Sequence, residues 1–323
     1  MKIALEHLPP NLPERLRQSD RMRNDYFIAK MPITRYWHYQ KRADYRNIPP
    51  PGVPLWLSNF DWVIGWKHGW ANPKLMPRTV FCHPDVLSWF AYFLLKNFPQ
   101  PKPHQRLLIV GGDDRKLSHQ SDEVINILTQ YFSNIDYESY DIERSDIGIF
   151  PMGFTEYYLR GAKPILNDLK KPFKKQENLL CAFGAIWPHL NRTIRDRQLA
   201  LLFVQSRNYI TQGPFPIGEY FNQLKQHKAM ICPLGNGMQS PKIYEALLAF
   251  CMPIMTASPT SRRLIEIGVP ILEIKSWEAL DLIDINLEYA KRKDRINRFQ
   301  EVLNDYQKFN DYFGYSKFFK TGE

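Results

Sequence analysis

From Thr79 onward the chain alternates short apolar runs with segments of helical period, and that alternation admits few folds. RTVFCH precedes DVLSWFAYFLLKNF, QRLLIVGG precedes SHQSDEVINILTQYF, and DIGIFPMG precedes TEYYLRGA. Runs this short and this apolar suit strands covered on both faces, and strands separated by helices pair in parallel. The rhythm stops at NDLKKPFKKQEN, residues 167–178, which is polar, basic and without period, as a linker is. It restarts with ENLLCAFG, a helix through NRTIRDRQLALLF and another at GEYFNQLKQH. KAMICP, SPKIYEALLAF, MPIMT, SRRLIEIG, VPILEI and WEALDLI follow. The expected fold is α/β, with two Rossmann-like domains, each on a parallel sheet.

A length of 323 residues agrees, being too long for one ordinary core and right for two. We place an N-terminal domain over residues 1–170 and a C-terminal one over 171–284. Within the first, residues 1–77 are rich in Trp, Tyr and Pro and lack clear periodicity, so they read as an extension packed on it. Beyond Leu282 a charged stretch, INLEYAKRKDRINRFQEVLNDYQKF, predicts one long helix within residues 285–323.

The start of the chain carries no apolar run long enough for a signal peptide, and no segment approaches the roughly 18 apolar residues of a membrane span, so the expected compartment is the cytoplasm. Cys82, Cys181, Cys232 and Cys251 are widely spaced in apolar contexts with no CxxC, and read as reduced core thiols. Lys and Arg number 43 against 33 Asp and Glu, a net charge of +10, which calls for an anionic partner: nucleic acid, a phosphorylated small molecule or an acidic membrane surface. Basic residues are dispersed apart from Asp168–Gln176 and Tyr289–Arg298, each of which reads as a solvated face, and this argues against a nucleic-acid binder.

One stretch asks for more than packing. In ICPLGNGMQSPKIYEAL, Ile231–Leu247, a strand enters a glycine turn and leaves as a helix. Gly235 and Gly237 allow a tight turn and leave no Cβ to obstruct a ligand. The following helix offers unpaired N–H groups and the positive end of its dipole, the geometry that binds phosphate. Ser240 is a natural N-cap, Lys242 can reach an anion from the first turn, and Glu245 can accept two hydroxyl hydrogens from a ribose. The set suits a nucleoside diphosphate, although Gly and Ser also occupy such connections for turn reasons alone. In the first half, Asp113 and Asp114 follow QRLLIVGG, and His83 and Asp85 follow RTVFC. Both pairs fall at strand C-termini, where open α/β sheets bind ligands.

The stretch continued to Leu280, ICPLGNGMQSPKIYEALLAFCMPIMTASPTSRRLIEIGVPILEIKSWEAL, resembles the donor-binding segment of exostosin-like glycosyltransferases, especially their bacterial and viral relatives. More weakly, LLIVGGDDRKLS, YFSNIDYES and DIGIFPMGFTEYYLRGA resemble that family's acceptor half, so the likeness covers Leu107–Leu282. It implies a GT-B architecture: two facing Rossmann-like domains, a nucleotide sugar in the C-terminal one, the acceptor in the other, a terminal helix crossing back, and no metal or other cofactor. Glu245 falls on the family's ribose-binding glutamate, and Gly235, Asn236 and Gly237 on its phosphate-side turn. Lys242 stands where arginine is usual, and Phe250 where glycine is usual.

By the same resemblance FGAIWPHLNRTIRDRQ supplies a second cation for the leaving diphosphate, with Arg192 and Arg195 as candidates and Arg197 in reserve. Inverting transfer needs a base for the acceptor hydroxyl. Asp114 and Asp113 come first because they fall on the family's acidic turn, with His83 and Asp85 behind them. The expectation is an inverting, metal-independent glycosyltransferase using a UDP-sugar, with a glycan or lipid-linked glycan as acceptor and a basic surface suited to peripheral membrane contact. Replacing Glu245 by Ala should then cost donor binding and leave the fold intact. The alternatives are a non-catalytic nucleotide- or sugar-binding protein and a nucleic-acid-binding protein. A metal phosphatase or nuclease would want a carboxylate cluster, at which only Asp113 with Asp114 hints.

Overall fold

A computed structural model describes residues 60–64, 75–101, 106–112, 114–153, 173–183, 194–235, 237–304 and 306–319. The chain is α/β and divides into two compact units. One takes the described residues up to Phe150 together with those from Gly314 on; the other runs from Pro151 to Phe313. Asp113, Asn236, Arg192, the segment TEYYLRGA and nearly all of the aromatic N-terminal extension lie outside the described residues.

The first unit holds β1 (Trp62–Ile64), β2 (Thr79–Cys82), α1 (Leu87–Asn97), β3 (Leu107–Val110), α2 (Asp122–Tyr131), β4 (Asn134–Tyr137) and β5 (Gly148–Ile149). All neighbouring strands pair in parallel, in the order β1-β2-β3-β4-β5. Sequential order with right-handed crossovers puts the helices on one face of the sheet. Accordingly α1 and α2 meet: the Tyr92 hydroxyl donates to Glu123 Oε1 at 2.7 Å, and Trp62, Trp89 and Phe90 form the aromatic core beneath them. β1 lies in the stretch expected to lack periodicity. Three buried residues, WVI, are too few for any period to show. The residues from Gly314 add Phe319, edge-on to Phe60 at 5.3 Å, and the Lys317 carbonyl, which accepts from Arg78 Nη2 at 2.6 Å.

The second unit holds β6 (Glu177–Cys181), α3 (Ile194–Gln205), β7 (Thr211–Gln212), α4 (Ile217–Gln226), β8 (His227–Ile231), α5 (Pro241–Leu248), β9 (Met252–Thr256), α6 (Pro259–Glu266), β10 (Leu272–Ile274), α7 (Ile285–Asn304) and α8 (Tyr306–Tyr312). Its strands are again parallel, in the order β10-β9-β8-β6-β7. The chain steps outward from β6 to β7, then returns across β6 to lay down β8, β9 and β10. The order therefore reverses between β6 and β8, and open α/β sheets bind ligands in the crevice at such a point. The loop leaving β8 carries Gly235.

The long charged helix α7 packs on its own unit: Tyr289 donates its hydroxyl to the Phe250 carbonyl at 3.0 Å, and Gln300 Nε2 donates to the Leu248 carbonyl. The return to the first unit expected of that helix is made by the short segment from Gly314. Lys175, from the basic stretch read as a linker, is held by the fold. Lys175 Nζ donates to the Leu224 carbonyl of α4 at 2.8 Å and the Ala249 carbonyl, C-cap of α5, at 2.6 Å. Helix C-termini leave carbonyls unpaired and carry negative partial charge, so a cation there closes two helices at once. No helix among the described residues is long and apolar enough to cross a membrane. All four cysteines are buried and free, and burial pushes Cys181 and Cys251 up to about 12.

Candidate functional site

The switch-point loop is built as a cradle. Gly235 sits so close to the Gln239 carbonyl that an added Cβ would stand 2.4 Å from that oxygen, so only glycine fits. The chain then enters α5 through Ser240, whose Oγ accepts from the Lys242 N–H at 3.4 Å, with Pro241 at the first helical position. Gln239 is fixed from two sides, its Oε1 accepting from the Met152 N–H at 3.1 Å and the Tyr244 hydroxyl at 2.6 Å.

Glu245 is buried at 1% exposure and does more than the sequence suggests. Its Oε2 accepts from Lys242 Nζ at 2.8 Å and from the Tyr220 hydroxyl of α4 at 2.7 Å, and the same ammonium lies 3.8 Å from the centre of the Tyr220 ring. Its Oε1 is buried and has no hydrogen-bond partner among the described residues. Leaving a buried carboxylate oxygen unbonded costs on the order of 1–3 kcal/mol, so this atom is open to one more donor. Two donors on Oε2 fix the carboxylate plane.

Lys242 thus points its ammonium at Glu245, one helical turn on, where a buried carboxylate requires a counter-charge. This alters the expectation for Glu245→Ala. Truncation would strand the buried Lys242 ammonium, which costs roughly 3–5 kcal/mol, so the fold would not be left intact. Glu245→Gln is the cleaner probe. Of the remaining donor-side candidates, Gly237 is buried in the turn, Arg195 is exposed on α3, and Arg197 donates Nε to the Leu234 carbonyl at 3.1 Å.

In the first unit, His83 is buried at the end of β2, where its Nδ1 accepts from the Asp85 N–H at 3.3 Å. Asp85 pairs with Arg115 at 2.5 Å. Gly112, at φ +87°, lies against this corner, a Cβ there falling 3.9 Å from the His83 ring. Asp114 is exposed beyond it. Sequence reasoning missed Glu138 here: buried at the end of β4, it accepts from the Gly112 N–H at 2.6 Å. It also missed Tyr220 and Gln239 in the second unit. The Tyr220–Glu245 pair spans 25 residues, and nothing in either local stretch signals it. Among the described residues no three His, Cys, Asp or Glu side chains group to hold a metal ion.

No family model matches the chain, and no curated protein is similar to it. Among solved structures, an α1,3-fucosyltransferase crystal structure is similar at 13% identity and a TM-score of 0.31, over 86% of this chain and 79% of that one. At that identity and score the likeness assigns no residue and no activity.

Proposed function

We propose that the chain is an exostosin-like glycosyltransferase of the GT-B kind, which passes a sugar from a nucleoside-diphosphate donor, a UDP-sugar first, to a glycan hydroxyl with inversion and without a metal. The observation that carries the reading is the open Oε1 of Glu245. It is a buried acceptor at the switch point of a parallel sheet, one turn into a helix that follows a glycine cradle. A ribose presents hydroxyl donors and a diphosphate wants backbone N–H groups and a helix start; the two needs meet on this loop. Gly235, Asn236 and Gly237 would hold the diphosphate, Ser240 would cap the helix behind it, and Lys242 would orient the Glu245 carboxylate. Arg192 and Arg195 are the cations proposed for the leaving group. Asp113, Asp114 and His83 are the bases proposed for the acceptor hydroxyl, which is the hydroxyl of a glycan or lipid-linked glycan.

The test is calorimetric titration with UDP, GDP, CMP and their sugar conjugates, with and without EDTA. The expected result is micromolar binding of one nucleotide class, indifferent to EDTA and lost in Glu245→Gln. Binding to none would overturn the donor site. Binding without sugar transfer to any glycan hydroxyl would leave a nucleotide-sugar-binding protein in place of an enzyme.

A further inference from the structure

The Gly235 loop is gripped from the side of α3 by a residue that no reading above uses. Asp196, in the first turn of α3, accepts from the Leu234 N–H at 2.9 Å through Oδ2. Through Oδ1 it accepts from the Thr256 hydroxyl at 3.1 Å and the Trp277 indole N–H at 2.9 Å. Its neighbour Arg197 takes the other half of the same residue, donating Nε to the Leu234 carbonyl. Both peptide groups of the residue immediately before Gly235 are therefore bonded to one helix.

The three donors come from three different connections: the loop after β8, the end of β9 and the 3-10 turn after β10. All of these stand at the C-terminal edge of the sheet. Joining elements for stability alone is done by apolar side chains, whereas a carboxylate in a partly buried place costs desolvation unless it is fully bonded. What a three-way carboxylate adds is direction: charge-assisted bonds of defined length set where the Leu234 peptide lies and, through it, the course of the turn. Trp277, 1% exposed, must place its N–H on a partner, and it too uses this carboxylate.

We infer that Asp196 is a positioning residue for the ligand: it holds the Leu234 peptide so that the glycine turn presents its N–H groups in the geometry a diphosphate requires. The inference rests on the nucleotide-sugar reading. Asp196 touches no ligand in this role, since its own charge would repel one. The three donors and the adjacent Arg197 offset that charge.

The experiment compares wild type, Asp196→Asn and Thr256→Val in titrations with UDP, GDP and CMP, alongside the unfolding midpoint and the indole N–H resonance of Trp277, assigned with Trp277→Phe. Asp196→Asn keeps the shape and loses one of the two acceptor oxygens. It should weaken nucleotide binding 10-fold or more in protein that remains folded, with a displaced Trp277 resonance. Thr256→Val removes one donor and should weaken binding about 2- to 3-fold, within the range of one net hydrogen bond. A lowered midpoint with unchanged affinity in Asp196→Asn would overturn the positioning role and leave the nucleotide reading standing. If Asp196→Asn does not fold, Thr256→Val decides: a displaced Trp277 resonance with unchanged affinity overturns the role. Wild type that binds no nucleotide would sink the nucleotide reading, and this role with it.

Discussion

Each unit ends a buried parallel strand in a glycine turn beside a buried glutamate, yet the two glutamates are used in opposite ways. In the first unit Glu138 turns inward onto the loop: its Oε2 accepts from the Gly112 N–H at 2.6 Å, and a Cβ on Gly111 would collide with that same oxygen at 2.4 Å. The carboxylate takes the space a Gly111 side chain would need and spends an acceptor on the loop itself. In the second unit the space a Gly235 Cβ would need is taken by the Gln239 carbonyl, and Glu245 lies further on, held by Lys242 and Tyr220 through one oxygen while the other stays without a partner among the described residues. A glycine turn at a sheet edge is thus not in itself a ligand site. What separates the two is where the neighbouring carboxylate directs its acceptors, together with the strand order, which reverses only in the second sheet among the described strands.

The largest expected contrast is between the glycines. Gly235→Ala sets a Cβ against a backbone carbonyl that cannot rotate away, so the turn itself must shift. We expect roughly 3 kcal/mol of lost stability and no measurable nucleotide binding. Gly111→Ala meets the far end of the Glu138 side chain at 2.4 Å, which can swing aside at the cost of its bond to Gly112, about 1–2 kcal/mol, and the Glu138 Cβ at 3.3 Å, which asks for a shift of a few tenths of an ångström. Chemical denaturation of both variants reads the difference; equal losses would mean that the first turn is as rigidly backed as the second.

Next come the carboxylates. Glu245→Gln offers Lys242 and Tyr220 an amide oxygen and turns an N–H₂ toward the ligand, so two charge-assisted acceptances vanish. At about 1.5 kcal/mol each, affinity should fall about 100-fold in protein that remains folded, at a midpoint lowered because the buried Lys242 ammonium keeps an acceptor but loses its counter-charge. Glu138→Gln should lower stability by about 1 kcal/mol and leave nucleotide affinity unchanged. Titration and thermal unfolding of the pair decide it. A loss of affinity in Glu138→Gln would make the two turns functionally alike and break the comparison.

Phe250 sharpens it from another side. It stands where the resemblance leads one to expect glycine, and its φ is +56°, the left-handed region that glycine occupies without strain. Holding a Phe there costs about 1–2 kcal/mol of backbone energy. The ring is buried and edge-on to Phe173 at 6.4 Å, and losing such a side chain costs about 3–5 kcal/mol. Phe250→Gly should therefore destabilise by about 2–3 kcal/mol even though it relieves the strain. A gain in stability on denaturation would show that strain outweighs burial at the end of α5.

How far the sequence could be read follows from the range of each interaction. The strand and helix positions were legible because β3 is the unbroken apolar run LLIV and β8 and β9 carry the apolar runs AMI and MPIM, and because caps such as Ser121, Ser240 and Ser258 sit within a few residues of what they cap. The loop at Gly235 was legible for the same reason: turn, cap and Glu245 lie on one continuous stretch. Tyr220, Asp196 and Glu138 were not, because each acts across 25 residues or more of chain, on partners that only the sheet order brings near. Strand order was equally hidden, since nothing local says whether β8 is laid beside β7 or returns across β6.

Lys175 supplies the smallest effect and a test of the second unit alone. Burial against the ends of α4 and α5 lowers its pKa from the usual lysine value to about 8, with the Cys251 thiol raising it slightly. Between pH 8 and about 10.5 the unfolded chain then carries a proton on this residue that the folded chain has released, and stability rises with pH wherever the unfolded state binds more protons, here by at most about 1.4 kcal/mol per unit. The buried thiols act with the opposite sign. Cys181 and Cys251 reach about 12, and Cys232 also lies well above its ordinary value. Above pH 9 the unfolded state therefore loses protons that the folded state keeps, and stability falls. The lysine offsets one thiol over that window. Lys175→Met removes both the two carbonyl bonds and the cost of burying the ammonium, and it should make the decline between pH 9 and 10.5 steeper by about one proton. Denaturant titrations at half-unit steps of pH measure that slope directly. An unchanged slope would mean that the Lys175 ammonium keeps its proton throughout, held by the two helix ends more strongly than burial disfavours it.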